Sequence, residues 1–197
     1  MGFGSHLGGA QRQSGGSRPE LAGDAPRRMI CVRGMPSVQP ESLDPFIFGQ
    51  SQPCYGCSPT HPTGFRLRFS RVGDEEVVTT FVPGEGHQGP PGIMHGGLVT
   101  TLADEIAAWA ILGLLGKFGF TASLQGRFLA PVRIGTPVEG HGRIVRSSTR
   151  IVVVEVTLEQ SGAKAYGGQF TFAIFDRHGA ERLLQRPLPE GWDKFAR

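Results

Sequence analysis

The chain has 197 residues, of which 39% are hydrophobic and 9% aromatic, and this is enough to build the core of one domain. The formal net charge of +3 is small and no basic run stands out, which argues against nucleic-acid binding. Three cysteines, an odd number, argue against a disulfide framework. The N-terminus lacks the order of a secretory signal, and the apolar run 106–115 is too short to span a bilayer. We therefore expect a cytoplasmic protein that is not inserted in a membrane.

The first 53 residues predict two segments that precede the main domain. Residues 1–28 are rich in Gly, Ser, Arg and Gln. Such a segment buries too little apolar surface to offset the entropy of ordering it, so we predict a disordered tail. Residues 29–53 hold short apolar stretches between prolines and are interpreted as an N-terminal extension. Its apolar run 46–48 is expected to pack onto the domain or onto a second subunit.

A Cys-x-x-Cys pair opens the next segment. Cys54, Cys57 and His61 have the spacing of half a zinc site. A structural zinc site needs four ligands, and only Cys31 and His87 are loose candidates for the fourth, so we predict that no metal is bound. The alternatives are a turn of small residues packed against a helix start, or a His61 that lines an active site.

Alternating apolar and polar residues predict strands on both sides of one long apolar segment. Two strands are predicted before it, at 65–70 and 77–82, with a turn at Gly73–Asp74. Four strands are predicted after it, at 121–129, 137–147, 150–160 and 163–175, with hairpin turns at 147–149 and 161–162. Residues 181–197 are predicted to be a C-terminal tail. About six strands and one helix, joined by tight turns, predict an α+β domain with an antiparallel sheet wrapped around the helix.

The segment 95–115 carries the strongest functional signal. Apolar residues at helical spacing predict a helix that follows Gly96–Gly97 and is buried on most sides. Two carboxylates, Asp104 and Glu105, interrupt this apolar surface. An unpaired buried carboxylate costs several kcal/mol, so such a group must be paired, solvated or functional. Glu105 lies about 100° around the helix from Asp104 and is predicted to be structural or exposed.

At these residues the chain resembles a known family. His95-Gly96-Gly97, with an acid nine residues after the histidine, resembles the hotdog-fold acyl-CoA thioesterase superfamily, and within it the phenylacetate-pathway and human thioesterase-superfamily branches. The likeness continues into 120–132, which has a threonine near its start and a closing proline. It also includes the cysteine segment, where relatives commonly have Asn at the position of His61. It implies a hotdog domain over residues 54–180.

The resemblance implies a role for each candidate residue. Asp104 is the general base or the nucleophile in thioester hydrolysis. The backbone amides of Gly97 and Gly96, at the helix start, bind and polarise the thioester carbonyl. Thr121 assists the acid from a facing subunit, and His95 fixes the loop or contacts the thioester. Each assignment has a structural alternative: a solvent-facing helix edge for the acid, a plain loop-to-helix junction for the glycines, and an ordinary strand residue for the threonine.

Substrate and assembly are also implied. The substrate is an acyl-CoA, and no cofactor is required beyond the coenzyme A that the substrate carries. Arg127, one of several scattered arginines, is a candidate for binding the coenzyme A phosphates, and His61 is a candidate for lining the site. A homodimer or homotetramer is expected, since one sheet covers an apolar helix on one side only.

This fold has two alternative kinds of function: hydratase or dehydratase activity, and acyl-CoA binding without catalysis. Hotdog hydratases resemble a pattern with Asp followed five residues later by His, and the position five residues after Asp74 is Thr79. Dehydratases couple a His to a Glu about fourteen residues on, and from His87 that position is Thr101. Both patterns are absent here. A non-catalytic acyl-CoA-binding domain is expected to lack the helix acid, whereas Asp104 is present.

Overall fold

A seven-stranded antiparallel sheet packs against one long helix. The structure is a computed structural model that describes residues 39–50, 52–189 and 191–196. The predicted disordered tail at 1–28, and the predicted extension as far as residue 38, lie outside the described residues. The strands are β1 (Glu41–Ser42), β2 (Phe69–Val72), β3 (Glu76–Phe81), β4 (Gly119–Phe128), β5 (Val138–Ser147), β6 (Ile151–Gln160) and β7 (Ala163–Ile174).

The long helix α1 (Gly96–Leu115) separates β3 from β4 along the chain, and a short helix α2 (Arg177–Leu184) follows β7. The strands lie in the order β1-β2-β3-β5-β6-β7-β4, so among the described residues β4 is an edge strand that pairs with β7 alone. The predicted α+β architecture, a sheet wrapped around one helix, is confirmed, with seven strands rather than about six. The additional strand is β1, which pairs with β2.

The helix α1 and the strand β5 approach each other closely because β5 carries glycines where the helix crosses it. Ile106 is fully buried at this crossing. A Cβ atom at Gly140 would overlap the Ile106 side chain, and one at Gly142 would lie 3.1 Å from the Ile106 carbonyl oxygen. The two glycines therefore set how deeply the helix sits in the sheet, and they fix its rotation.

α1 ends where the sequence predicts. Gly116 adopts a left-handed φ of 60°, and its N–H donates to the Leu112 carbonyl oxygen at 3.1 Å. By length and composition alone the helix is apolar enough to cross a membrane. Residues such as Leu102, Ile106 and Ile111 are instead buried within this chain. The apolar composition of α1 therefore matches its position in the core.

The predicted strand at 65–70 begins later than expected, because residue 66 bends the chain. Arg66 has a φ of 54°, which does not continue a strand. The N–H groups of Phe65 and Leu67 donate instead to carbonyl oxygens of the Cys-x-x-Cys turn, at Tyr55 and Gly56. Phe65 and Leu67 are nevertheless buried, as the alternation predicts.

Segments from both ends of the described chain cover the side of α1 that the sheet leaves open. The predicted apolar run 46–48 packs on the C-terminal segment, with the Phe48 and Trp192 ring centroids 4.3 Å apart. Leu188 and Phe195, in the segment predicted as a tail, are buried. From Leu98 to Leu115 every residue of α1 is at least partly buried in one chain. The argument that α1 itself needs a second subunit for burial is therefore not supported.

We expect Gly140→Ala to lower the free energy of unfolding by about 1–3 kcal/mol, because the added methyl group overpacks the contact with Ile106. Gly167→Ala is the matched control, since a Cβ at this β7 position meets no atom within 4 Å. The control should leave stability unchanged or slightly raised. Urea denaturation of both variants measures this difference, and equal midpoints would contradict the packing account.

Candidate active site along the helix α1 and the edge strand β4

The first turn of α1 is capped by His95. This residue has an extended backbone (φ −60°, ψ 131°), and its Nδ1 accepts the Gly97 N–H at 3.0 Å. Because Nδ1 accepts, it carries no proton in this arrangement. The His95 N–H donates to the His87 carbonyl oxygen at 2.9 Å. His95 thus joins the preceding loop to the helix, which is the first of the two roles predicted for it.

The two glycine amides at the helix start differ in availability. The Gly97 N–H is occupied by His95, whereas the Gly96 N–H has no acceptor within residues 39–50, 52–189 and 191–196. Gly96 is exposed. The Thr100 and Thr101 hydroxyls both donate to helix carbonyls, so neither hydroxyl proton is free. Gly96 therefore presents the amide that can bind an anion or a polarised carbonyl at this helix end.

Asp104 and Thr121 contact each other within one chain. The Thr121 hydroxyl donates to Asp104 Oδ1 at 2.8 Å. Asp104 is half-buried, and this burial raises the pKa of its carboxyl above the usual value, opposed by the hydrogen bond from Thr121. Both residues belong to one chain here, whereas the resemblance implies a threonine from a facing subunit.

A strip of surface connects Asp104 with Gly96. The two residues are eight positions apart, or about 12 Å along the helix axis. The strand β4 borders the strip, with Thr121 on Asp104 at one end and Phe128 at the other. The Phe128 ring lies 3.5 Å from the place where a Gly96 Cβ would be. The strip therefore has an acid at one end and a free amide at the other.

An apolar cavity of about 390 Å³ opens beside the free amide. Its walls include Ile93, Val99, Phe128 and Leu129 next to Gly96. Phe128 and Leu129 are 60% and 56% exposed, which is high for large apolar side chains. The cavity is suited to an apolar ligand group attached to a carbonyl that Gly96 binds.

Tyr166 is a polar residue near the site that sequence reasoning missed. It is 1% exposed, and its hydroxyl has no hydrogen-bond partner in the part of the chain that the structure describes. Burial raises the pKa of its phenol; a side-chain contact with Thr100 opposes this rise, and the charge on Asp104 adds to it. The hydroxyl lies against Gly126 of β4, where any side chain would overlap it. The sequence signal for Tyr166 was a tyrosine in a predicted strand, next to Gly167–Gly168. A tyrosine hydroxyl that becomes buried normally needs a hydrogen-bond partner.

Two of the predicted substrate-binding residues do not reach the Asp104–Thr121 pair. The His61 ring packs on Tyr55, with centroids 5.4 Å apart, and its Nδ1 accepts the Thr63 N–H at 3.3 Å. Arg127 is exposed on β4 beside Phe128, and it forms no ion pair among the described residues. Gly126 and Phe128 face Tyr166 and α1, so Arg127 between them points to the other face of the sheet, while His61 lies in the cysteine segment.

The cysteine pair meets a different partner from the one predicted. Cys54 Sγ lies 3.3 Å from Glu105 Oε1, and the ligand atoms of Cys54, Cys57 and Glu105 all lie within 4.8 Å of one another. Glu105 replaces His61 as the third group of this cluster. A closed zinc site requires four ligands, and the described residues bring three together. The prediction that Glu105 is structural or exposed missed this contact.

The sequence and the fold both have known counterparts. The model of the thioesterase superfamily matches residues 91–165, which run from the loop before α1 into β7. The structure of thioesterase superfamily member 2 from zebra fish is similar, with a TM-score of 0.54 and 20% identity, over 59% of this chain and 89% of that chain. No curated protein matches the chain in sequence.

Two bacterial structures show the same likeness. A hypothetical thioesterase protein from Streptococcus pneumoniae, crystallised with coenzyme A, has a TM-score of 0.52 and 22% identity, over 55% of this chain and 87% of that chain. A thioesterase from Haemophilus influenzae has a TM-score of 0.52 and 21% identity, over 56% of this chain and 79% of that chain. Together with the family match, these neighbours confirm the predicted resemblance to the hotdog-fold thioesterase superfamily. The branch within it stays a prediction.

We expect His95→Ala to lower the free energy of unfolding by about 1 kcal/mol, because α1 loses the group that caps the Gly97 N–H. His95→Asn should retain most of the stability, since the short amide side chain is a good cap. His178→Ala, at an exposed position of α2, is the control that should change nothing. Chemical denaturation decides the point: no difference between the Ala and Asn variants at position 95 would exclude the capping role.

Proposed function

We propose that the chain is an acyl-CoA thioesterase that hydrolyses an acyl-CoA to a free acid and coenzyme A. The observation that carries the proposal is the hydrogen bond from Thr121 to the half-buried Asp104, on a strip that ends at the free Gly96 amide. The match to the thioesterase superfamily supports the reaction class. The coenzyme A in the similar S. pneumoniae structure supports the substrate class.

The carbonyl of the thioester binds at the Gly96 amide in this proposal. As water adds to the carbonyl carbon, the oxygen becomes negatively charged, and an oriented N–H at a helix start stabilises this charge without reorganisation. The donor role predicted for Gly97 passes to Gly96, because His95 occupies the Gly97 amide. The acyl group enters the apolar cavity beside Phe128.

Asp104 acts as the general base in the same step. The raised pKa of Asp104 makes it a stronger base than an exposed aspartate. The Thr121 hydroxyl donates to the carboxylate and holds it in place, while the Thr121 oxygen accepts a hydrogen bond from the attacking water. The base is active when ionised, so the rate should rise with pH through the raised pKa and stay high above it. The proposed step uses no metal and no redox cofactor. The absence of a cofactor and the cytoplasmic location stay predictions.

One chain does not bring the base to the amide. About 12 Å of helix separates Gly96 from Asp104, whereas a water between base and carbonyl must lie about 3 Å from each. A second copy of the chain closes this gap if two β4 strands pair antiparallel. A two-fold axis between Leu124 and Gln125 sets Thr121 of one copy opposite Phe128 of the other. The Asp104–Thr121 pair of each copy then lies beside the Gly96 amide of the other copy.

The surface of β4 supports this assembly. All residues from Thr121 to Phe128 are exposed, and the strand has no partner on its outer edge within the described chain. Leu124, Phe128 and Leu129 are 48%, 60% and 56% exposed. A ten-residue edge strand with apolar side chains favours pairing with another strand. We therefore propose a homodimer, or a homotetramer built from such dimers.

We expect Asp104→Asn to lower kcat by about 10²–10⁴-fold and to keep the fold, because the amide is nearly isosteric but is not a base. Thr121→Ala should cost less, on the order of 1 kcal/mol in the activation barrier. Glu139→Gln is the control, because it neutralises an exposed carboxylate of β5. Gly140 faces α1, so the preceding residue, Glu139, points away from the helix.

Steady-state release of free thiol from a panel of short, medium, long and aromatic acyl-CoAs measures these effects, with a thermal melt for each variant. Rates for Asp104→Asn that equal those of the unmodified chain would contradict the mechanism. Binding of acyl-CoA without any hydrolysis by the unmodified chain would instead assign the chain to the non-catalytic acyl-CoA-binding domains of this fold.

We expect the unmodified chain to be at least a dimer and Phe128→Glu to be a monomer, because a charge at this position opposes burial of the β4 surface. The monomer should have lost hydrolysis as well, since each site needs two copies. Leu183→Glu, at a 53% exposed position of α2, is the matched control and should stay oligomeric. Light scattering at micromolar concentration makes the measurement, and a monomeric unmodified chain that hydrolyses acyl-CoA would contradict the assembly.

A further inference from the structure

The Cys-x-x-Cys turn places two sulfur atoms side by side. The Ser58 N–H donates to the Cys54 carbonyl oxygen at 3.1 Å, so residues 54–58 form one helical turn. Residues three apart in such a turn have Cβ atoms about 5–6 Å apart. The two Sγ atoms lie within 4.8 Å of each other. A disulfide bond requires Cβ atoms about 3.5–4.5 Å apart, so side-chain rotation together with a small adjustment of the turn backbone brings Cys54 and Cys57 to disulfide geometry.

The two cysteines differ in access and in acidity. Cys54 is half-buried, whereas Cys57 is 4% exposed, and both border a cavity of about 140 Å³ beside Trp192. A hydrogen bond from the Cys57 thiol lowers the pKa of Cys54 to about 5, although burial opposes it. The same contact and burial raise the pKa of Cys57. The outer sulfur is therefore a thiolate that reagents reach, and the inner sulfur is a protected thiol.

Glu105 completes the cluster as a proton acceptor. Burial, together with the charge of Cys54, raises the pKa of its carboxyl to about 8. No cation pairs with Glu105 among the described residues. The turn is shaped around this carboxyl, because a side chain at Gly56 would overlap it. A buried carboxyl that exchanges one proton with two thiols is a suitable base for thiol chemistry.

We propose that Cys54 and Cys57 are a redox-active dithiol that low-molecular-weight disulfides, such as oxidised glutathione, convert to a reversible disulfide bond, with Glu105 carrying the protons. This inference does not depend on the hydrolytic function. In a reducing compartment such a bond is transient, as in a redox-sensing or redox-transfer site.

The reaction takes place in two exchanges. Cys54 starts as a thiolate beside a protonated Glu105. The thiolate attacks one sulfur of glutathione disulfide, forming a mixed disulfide and releasing one glutathione thiolate, which receives the Glu105 proton by way of solvent. The Cys57 thiol then gives its proton to the freed carboxylate. Its sulfur attacks Cys54 and releases the second glutathione thiolate, which takes up this proton in the same way. Two protein thiols are oxidised, and one glutathione disulfide is reduced to two glutathione molecules.

The test is disulfide mapping of the full chain after incubation with oxidised glutathione. Trypsin leaves Cys54 and Cys57 together on peptide 34–66, while Cys31 falls on peptide 29–33. We expect peptide 34–66 to lose the mass of two hydrogens, to resist alkylation, and to recover both properties on reduction. A peptide that stays fully alkylated in excess oxidised glutathione would overturn the proposal.

Variants separate the steps. Cys57→Ser should stop at a glutathione adduct on Cys54, and Cys54→Ser should react far more slowly, because the remaining sulfur is buried. Glu105→Gln should slow closure of the mixed disulfide by about tenfold or more. Cys31→Ser is the control and should oxidise normally; loss of the disulfide in this variant would overturn the pairing. Stoichiometric zinc in the purified chain, with both sulfurs protected from oxidation, would identify a metal site instead and would also overturn the proposal.

Discussion

The close contact between α1 and β5 is the constraint on which the rest of the structure depends. Ile106 fits against Gly140 and Gly142, where side chains would leave no room, so the helix has one depth and one rotation in the sheet. Successive helix residues point about 100° apart. With Ile106 directed at β5, Asp104 is directed at Thr121 on β4, and Glu105 is directed at the cysteine turn. Three consecutive side chains thus have three different environments.

The two helix carboxylates show how a buried acid is accommodated. Burial raises the pKa of both, and neither is paired with a cation among the described residues. Asp104 keeps one hydroxyl donor and lies at an open strip, which suits a base that must reach a ligand. Glu105 lies beneath the cysteine turn with thiols as its partners, which suits proton exchange inside the protein. The same residue chemistry therefore supports two separate proposals on one helix.

Hydrophobic pattern predicted most of the fold, because burial decides both the period and the face of each element. A glycine follows the helix end at Leu115, and another lies in the turn at Ser161–Gly162. Both glycines, Gly116 and Gly162, have the positive φ that such positions favour. The late start of β2 was not predictable, since it depends on the left-handed Arg66 and on bonds to a turn ten residues upstream. The strand β1 consists of two residues, too few for an alternation pattern.

The site was predictable where it lies within one segment and not where it depends on tertiary contacts. The spacing of His95, Gly96 and Asp104 indicated the helix start and the acid, but it could not show that the His95 ring occupies the Gly97 amide. His61 was expected at the site from its place in the sequence, whereas its ring packs on Tyr55. The contacts of Glu105 and Tyr166 depend on their neighbours in space, which no periodicity records.

The central claim is that each site combines Asp104 of one copy with the Gly96 amide of another. Gly96→Pro removes this N–H at the first helical position, where proline fits, and the extended His95 before it is compatible. Asp104→Asn removes the base. Refolding equal amounts of the two inactive variants together should restore about a quarter of the activity per site, because half of the dimers are mixed and each mixed dimer has one intact site. Activity of the mixture no higher than that of the separate variants would contradict the claim.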